Sequence, residues 1–148
     1  MRRSEFMLGG EDFKDLKASQ LMEADVVACR PENTWRQMTD LMSHGGFGDV
    51  PIIDKDKTLL GIVTEFDLLK VLMEGKDVKN ITAGDIMTTN VVSVSEVTNS
   101  VEIVNILETK HLIRVPVVRN GRLVGIVARR DVLFSFIQAS TKPPGGLF

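Results

Sequence analysis

Thr64 and Asp67 stand three residues apart in "GIVTEFD", where an apolar run gives way to "FDLLKVLM". A hydroxyl and a carboxylate at this spacing share one rim at a helix start, beside N–H groups that lack partners inside the helix. Such a set suits a nucleoside: the carboxylate accepts from ribose hydroxyls, and the hydroxyl and N–H groups meet phosphate. The same residues also perform ordinary capping, with Thr at a strand end and Asp in the first helical turn. One copy does not separate these readings. The pattern returns in "GIVARRD", Gly125 to Asp131, with Ala128 in place of the threonine.

Other chemistries find little support. The two histidines, His44 and His111, and the single Cys29 make no zinc spacing. No glycine-rich phosphate loop precedes a Lys-Ser/Thr pair. "HGGFG" (His44 to Gly48) reads as a helix-to-strand connection, the reverse of a dinucleotide fingerprint. No local motif holds a Ser/His/Asp set. An enzyme is therefore not expected, and neither a catalytic residue nor a metal site is assigned. The chain has 148 residues, is 43% hydrophobic and 26% charged, and carries a net charge of -2. It can bury a core, and it lacks the basic excess of a nucleic-acid binder. No apolar run reaches the ~18 residues of a membrane span, so no membrane insertion is expected. Cys29 lies in the apolar "VVACR" and reads as a buried structural thiol. With no disulfide to form and no signal-peptide pattern, the expected location is the cytoplasm.

The repeat extends well beyond the motif. At an offset of 65 residues, "ASQLMEADVV" (Ala18 to Val27) meets "AGDIMTTNVV" (Ala83 to Val92), and "VPIID" meets "VPVVR". The offset then becomes 64, because the turn "DKDK" is one residue longer than "RNGR", and Gly61 meets Gly125. Each copy reads β-α-β-β-α. The first strands are expected at Val26 to Cys29 and Val91 to Val94. The helices that follow present Trp35, Met38, Leu41 and Met42 on one face in one copy, and Val101, Val104, Leu107 and Leu112, mixed with Ile103 and Ile106, in the other. Their caps are Asn33 or Thr34, and Thr98 or Ser100. Asn120-Gly121 signals a two-residue hairpin, and Gly75 closes the last helix of copy one. Each copy is about 60 residues, a length at which single cores are marginal, so the copies should fold together.

The doubled leading segment, the Val-Pro strand and the Gly-h-h-Thr-x-x-Asp motif before an apolar helix resemble a CBS domain pair, also called a Bateman module. The resemblance spans about residues 18 to 139. It implies an α/β (α+β) fold of two pseudo-symmetric β-α-β-β-α repeats packed through their sheets. The corresponding division is an extension at 1–17, repeat one at 18–75, a linker at 76–82, repeat two at 83–139 and a flexible tail at 140–148. It also implies an adenosine-containing ligand, AMP, ADP, ATP or S-adenosylmethionine, with no required cofactor. By the same resemblance Asp67 holds ribose and Thr64 supports ribose or phosphate. The segment Thr88 to Val92, including Asn90, lines the base side with Leu112 and Ile113, while Arg114 and Arg130 face phosphate. Arg129, beside Arg130, is a further phosphate candidate. A second, weaker site centres on Asp131, where Ala128 has lost the hydroxyl and Glu23 and Asp25 replace neutral residues.

Most members of that family regulate a partner and do not catalyse. The leading reading is a stand-alone module that binds an adenosine derivative, forms a homodimer and signals to an unknown effector protein. The alternative is a ligand-independent dimerisation or protein-interaction module.

Overall fold

The computed structural model describes residues 13–140. Its elements are α1 (Ala18–Leu21), α2 (Trp35–Gly45), β1 (Asp49–Ile53), β2 (Leu59–Thr64), α3 (Glu65–Met73), a 3-10 turn (Val78–Asn80), α4 (Ala83–Ile86), β3 (Val94–Ser95), α5 (Ser100–Thr109), β4 (Arg114–Arg119), β5 (Arg122–Ala128) and α6 (Arg129–Ser140). The order α-α-β-β-α occurs twice, and copy two adds the short β3 between its first two helices. The expected flexible tail, beyond residue 140, and the first 12 residues of the extension lie outside the described residues.

One sheet pairs β1 with β2 antiparallel, and the other has the order β3-β4-β5. The expected opening strands shrink. Cys29 makes a single parallel bridge to Ile52, donating to the Pro51 carbonyl at 2.9 Å and accepting from Ile53 at 2.8 Å. The chain then turns, because the Asn33 side chain accepts from the Arg30 N–H at 2.7 Å. In copy two only Val94 and Ser95 pair with β4. The Thr98 hydroxyl, accepting from the Ser95 N–H at 3.1 Å, ends that strand.

Local chemistry fixes the helix ends. Thr34 caps α2 in a reciprocal box with Gln37. Asn99 caps α5, its side chain accepting from the Glu102 N–H at 2.9 Å; this replaces the expected Thr98 or Ser100. Asn is at least as good a cap as either, and its neighbours are otherwise engaged. The buried Ser100 hydroxyl donates to the Phe13 carbonyl at 2.7 Å. Helix α3 ends on Glu74, and Gly75 follows with φ at 70°. Lys76 N–H then bonds the Val71 carbonyl and Gly75 N–H bonds that of Leu72, which satisfies two terminal acceptors. Asn120 and Gly121 both have positive φ, as the hairpin signal requires.

The chain forms two compact units whose boundaries differ from those of the repeats. One contains Val27–Val92 with Asn120–Leu123; the other contains the residues up to Val26, Ser93–Arg119 and the residues from Val124 onward. Each unit thus combines the strands and helices of one copy with the leading segment of the other. In the first unit Cys29, Met38, Met42, Val50, Ile52, Val63, Leu68 and Ala83 form the core, with Trp35, Leu41, Phe47, Ile86 and Met87 against it. The Trp35 indole donates to the Leu68 carbonyl at 3.0 Å, joining α2 to α3. Cys29 is buried as expected, and burial raises its thiol pKa. In the second unit Ala18, Leu21, Val94, Ile103, Leu107, Val115, Val117, Ile126 and Val132 are buried.

Gly61 and Gly125 mark where a leading segment crosses a strand. A β-carbon at position 61 would stand 2.7 Å from Met87 Sδ and 2.8 Å from the Thr88 carbonyl oxygen. At position 125 it would meet the Met22 side chain, with Cγ 2.7 Å away. A methionine side chain can move, whereas a backbone carbonyl moves only with its strand. Gly61→Ala is expected to cost about 1–3 kcal/mol, with Gly125→Ala costing less. Urea denaturation of the two variants measures the difference, and an equal or reversed order would contradict this account.

Candidate ligand-binding rims

Thr64 ends β2 in extended geometry and is the N-cap of α3. Its hydroxyl accepts from the Asp67 N–H at 3.2 Å, and the Asp67 carboxylate accepts from the Thr64 N–H at 2.8 Å. The pair therefore forms a reciprocal capping box. The Glu65 N–H donates to the Gly48 carbonyl at 3.0 Å, and Asp49 lies opposite Thr64 in the β1–β2 register. The leading segment of copy two arrives on the other side. Ile62 and Thr88 exchange both backbone hydrogen bonds, at 3.0 and 2.9 Å. Thr88 and Asn90 are exposed, and Val92 is half-buried. Asp49, Glu65 and Asp67 place three carboxylates along this strand end and helix start.

The second unit repeats the frame with different side chains. The Arg129 N–H donates to the Ile113 carbonyl at 2.9 Å, matching the Glu65–Gly48 bond. Glu23 and Ile126 exchange hydrogen bonds at 2.9 and 3.1 Å, matching Thr88 and Ile62. Asp131 still accepts from the Ala128 N–H at 2.8 Å, but Ala128 offers no hydroxyl in return. Half of the capping box survives. Arg129 Nε donates to the Leu112 carbonyl at 3.0 Å, which holds that guanidinium beside the 112–114 segment. Arg114 is half-buried at the start of β4, while Arg130 and Ile113 are exposed. Glu23 and Asp25 are exposed on the leading segment.

The expected site residues are thereby distributed over two rims. Thr64, Asp67, Thr88, Asn90 and Val92 fall in the first unit. Leu112, Ile113, Arg114 and Arg130 fall in the second, with Asp131. The hydrogen bonds of Arg129 tie Leu112 and Ile113 to the helix start that carries Asp131. Glu65 was not among the expected residues. Its signal was the helix-start bond back to the preceding strand, which motif spacing alone does not reveal.

Two apolar grooves border these rims, one reaching Glu65 and the other Arg129. One, of 380 Å³, runs between α2 and α3 and is lined by residues including Trp35, Met42, Phe66, Leu69 and Leu72. The other, of 430 Å³, runs between α5 and α6, by Val104, Leu107, His111 and Leu133. Neither includes Thr64, Asp67 or Asp131 in its lining.

The CBS-domain family model matches residues 18–74 and 83–137. The chain belongs to the CBS-domain proteins and carries the domain as a tandem pair. An uncharacterized protein of Methanopyrus kandleri is 33% identical over 122 residues, which are 81% of this chain and 62% of that protein. The chain spans 23% of the inosine-5'-monophosphate dehydrogenase of Methanocaldococcus jannaschii, at 29% identity over 79% of its own length. It covers 81% of hypoxic response protein 1 of Mycobacterium tuberculosis, at 31% identity over 78% of this chain. A crystal structure of Hypoxic Response Protein I with two coordinated zinc ions is 30% identical, with a TM-score of 0.72 over 80% of this chain and 97% of that one. Among the described residues here, no group of three or more His, Cys, Asp or Glu is arranged to hold a metal. The fold is shared with CBSX2 of Arabidopsis thaliana, in complex with AMP, at 24% identity, a TM-score of 0.77, and 85% and 99% coverage. It is also shared with the CBS domain pair of MJ0100, in complex with 5'-methylthioadenosine and S-adenosylmethionine, at 24% identity, a TM-score of 0.70, and 81% and 94% coverage.

The incomplete box at Ala128 gives a direct test of the capping geometry. Ala128→Thr supplies the missing acceptor and is expected to stabilise the fold by about 0.5–1 kcal/mol, whereas Thr64→Ala should cost about 1 kcal/mol. Denaturant titration reads both, and a destabilised Ala128→Thr would show that the second helix start cannot adopt the geometry of the first.

Proposed function

We propose that this chain is a regulatory CBS-pair module that binds an adenosine-containing ligand at its helix-start rims and passes that occupancy to a separate protein. The observation that carries the reading is the doubled rim. In each copy a capping carboxylate, Asp67 or Asp131, stands at a helix start, with the other copy's leading segment paired onto the preceding strand. A carboxylate suits ribose hydroxyls, and a helix start suits phosphate. AMP in CBSX2, and 5'-methylthioadenosine and S-adenosylmethionine in MJ0100, support the ligand class. On this reading Asp67 and Asp131 hold ribose, Thr64 supports ribose or phosphate, and Thr88, Asn90 and Val92 line the base side of their rim. Leu112, Ile113, Arg114 and Arg130 are further ligand-binding residues, and the Asp131 rim is the weaker site.

The module acts without catalysis and without a cofactor, in the cytoplasm, as a homodimer. No helix among the described residues is long and apolar enough to cross a membrane. Dimer formation is supported by exposed apolar side chains on two helices: Phe66 is 81% exposed and Met73 84% on α3, and Leu133 is 65% exposed and Phe134 63% on α6. The alternative is a protein-interaction module without a ligand. It draws support from the mutual satisfaction of Thr64 and Asp67, whose capping role explains both residues.

A thermal-shift panel separates the two. A ligand that binds only the native state at ~100 times its dissociation constant adds about 2.7 kcal/mol, which raises the Tm of a domain of this size by several degrees. AMP, ATP, S-adenosylmethionine or 5'-methylthioadenosine is expected to give that shift, with GTP as control; no shift with any adenosine compound would favour the interaction module. Sedimentation at micromolar concentration should give twice the mass of one chain, and a single-chain mass would remove the homodimer.

A further inference from the structure

We propose that Met22 and Met87 form a paired oxidation site, at which a peroxide converts each thioether to a sulfoxide and loosens the crossing of its leading segment over Gly125 or Gly61. The methionines among the described residues fall into three kinds of surroundings. Met38 and Met42, 0% and 4% exposed, lie inside the core of the first unit. Met73 stands 84% exposed at the end of α3. Met22 and Met87 are half-buried, within reach of a small oxidant while their side chains still fill space inside a unit.

What these two side chains pack against sets them apart. Met87 fills the space over Gly61: a β-carbon there would stand 2.7 Å from its Sδ and 2.8 Å from its Cγ. Met22 fills the space over Gly125 in the same way, with Sδ beside that point and Cγ 2.7 Å from it. Each sulfur is one residue away from the bonds that make its crossing. Thr88, next to Met87, exchanges hydrogen bonds with Ile62, next to Gly61; Glu23, next to Met22, exchanges them with Ile126, next to Gly125.

The reaction balances with peroxide as its one co-reactant. The sulfur lone pair attacks a peroxide oxygen, the O–O bond breaks, and the other oxygen leaves as water. The sulfur is oxidised by two electrons and the peroxide is reduced. The product is polar, and its oxygen requires a hydrogen-bond donor or water. The Glu23, Ile62, Thr88 and Ile126 amides beside the two sulfurs are already paired across the crossings. The sulfoxide oxygen therefore gains a partner by breaking a crossing bond or by turning out to water. Either movement draws the side chain off the glycine and forfeits its packing contacts there. An oxygen on the exposed Met73 meets no such constraint.

The experiment treats the full chain with hydrogen peroxide and follows sulfoxide at each methionine by peptide mass spectrometry, together with amide hydrogen exchange and the urea midpoint. Met73 should oxidise first and leave the midpoint in place. Met22 and Met87 should follow while Met38 and Met42 stay reduced, and the midpoint should fall in step with them. Exchange at the Glu23, Ile62, Thr88 and Ile126 amides should then rise about tenfold or more, as a crossing that has taken in a polar group opens locally. The two methionine sulfoxide reductases, one for each sulfoxide epimer, should restore the midpoint. The Met22→Leu/Met87→Leu variant conserves volume, and with Met1, Met7 and Met73 still present its midpoint should not move under peroxide. Oxidation of Met22 and Met87 only together with Met38 and Met42 would overturn the site, because the chain would then be reacting unfolded. Complete sulfoxide at both positions with exchange and midpoint unchanged would overturn it too, as would an undiminished fall in the leucine variant. The wild-type time course decides the matter even where that variant does not fold.

Discussion

A β-carbon at position 61 would stand only 2.8 Å from the Thr88 carbonyl oxygen, closer than real β-carbons come. Glycine there lets the leading segment of copy two cross close enough to exchange two backbone hydrogen bonds with Ile62. Gly125 does the same for the leading segment of copy one, with Met22 above it and Glu23 bonded to Ile126. Everything else in the two units follows from these crossings. With them Ala83, Ile86 and Met87 join a core made otherwise from copy one, and Thr88 pairs with the strand that ends at Thr64. Two glycines thus decide which parts of the chain share a unit.

Scaffold and candidate site are the same atoms. The carboxylates of Asp67 and Asp131 each secure a helix start through one backbone N–H, and one oxygen of each remains for other work. A carboxylate held in this way keeps a fixed direction, which spares a ligand the entropy of ordering it. The same economy makes these residues poor subjects for simple deletion, because removing the carboxylate also loosens the helix. Ala128 shows how far the frame tolerates change: the helix forms with half of its box.

Much of this was legible in the sequence because it is local or periodic. The doubled offset gave the order of elements, and Asn120-Gly121 gave the hairpin. Thr34 was one of two named caps. At α5 the true cap, Asn99, stood between the two residues named; in "TNS" all three residue types can cap, and only tertiary partners for Thr98 and Ser100 decide among them. The opening strands were overread because apolar runs such as "VVAC" do not show how few residues find a partner. The tie between Leu112, Ile113 and the Asp131 helix start was hidden for a deeper reason. Motif spacing shows that two helix starts exist, but the assignment of each strand to its helix start depends on hydrogen bonds such as that from Arg129 to Ile113.

The crossed leading segments also bear on how the protein is made. The unit centred on copy one needs residues up to Leu123, because the Leu59 N–H bonds the Gly121 carbonyl and the Leu123 N–H bonds that of Lys57. The other unit joins α1, near the start of the chain, to α6 at its end. Neither can close on a ribosome that has released only the first repeat. Contacts between segments so far apart carry a loop-closure cost before they return any stability, and they slow folding. The nascent first repeat therefore waits with Gly61 uncovered and its strand edge unpaired, a state open to aggregation until the second repeat emerges.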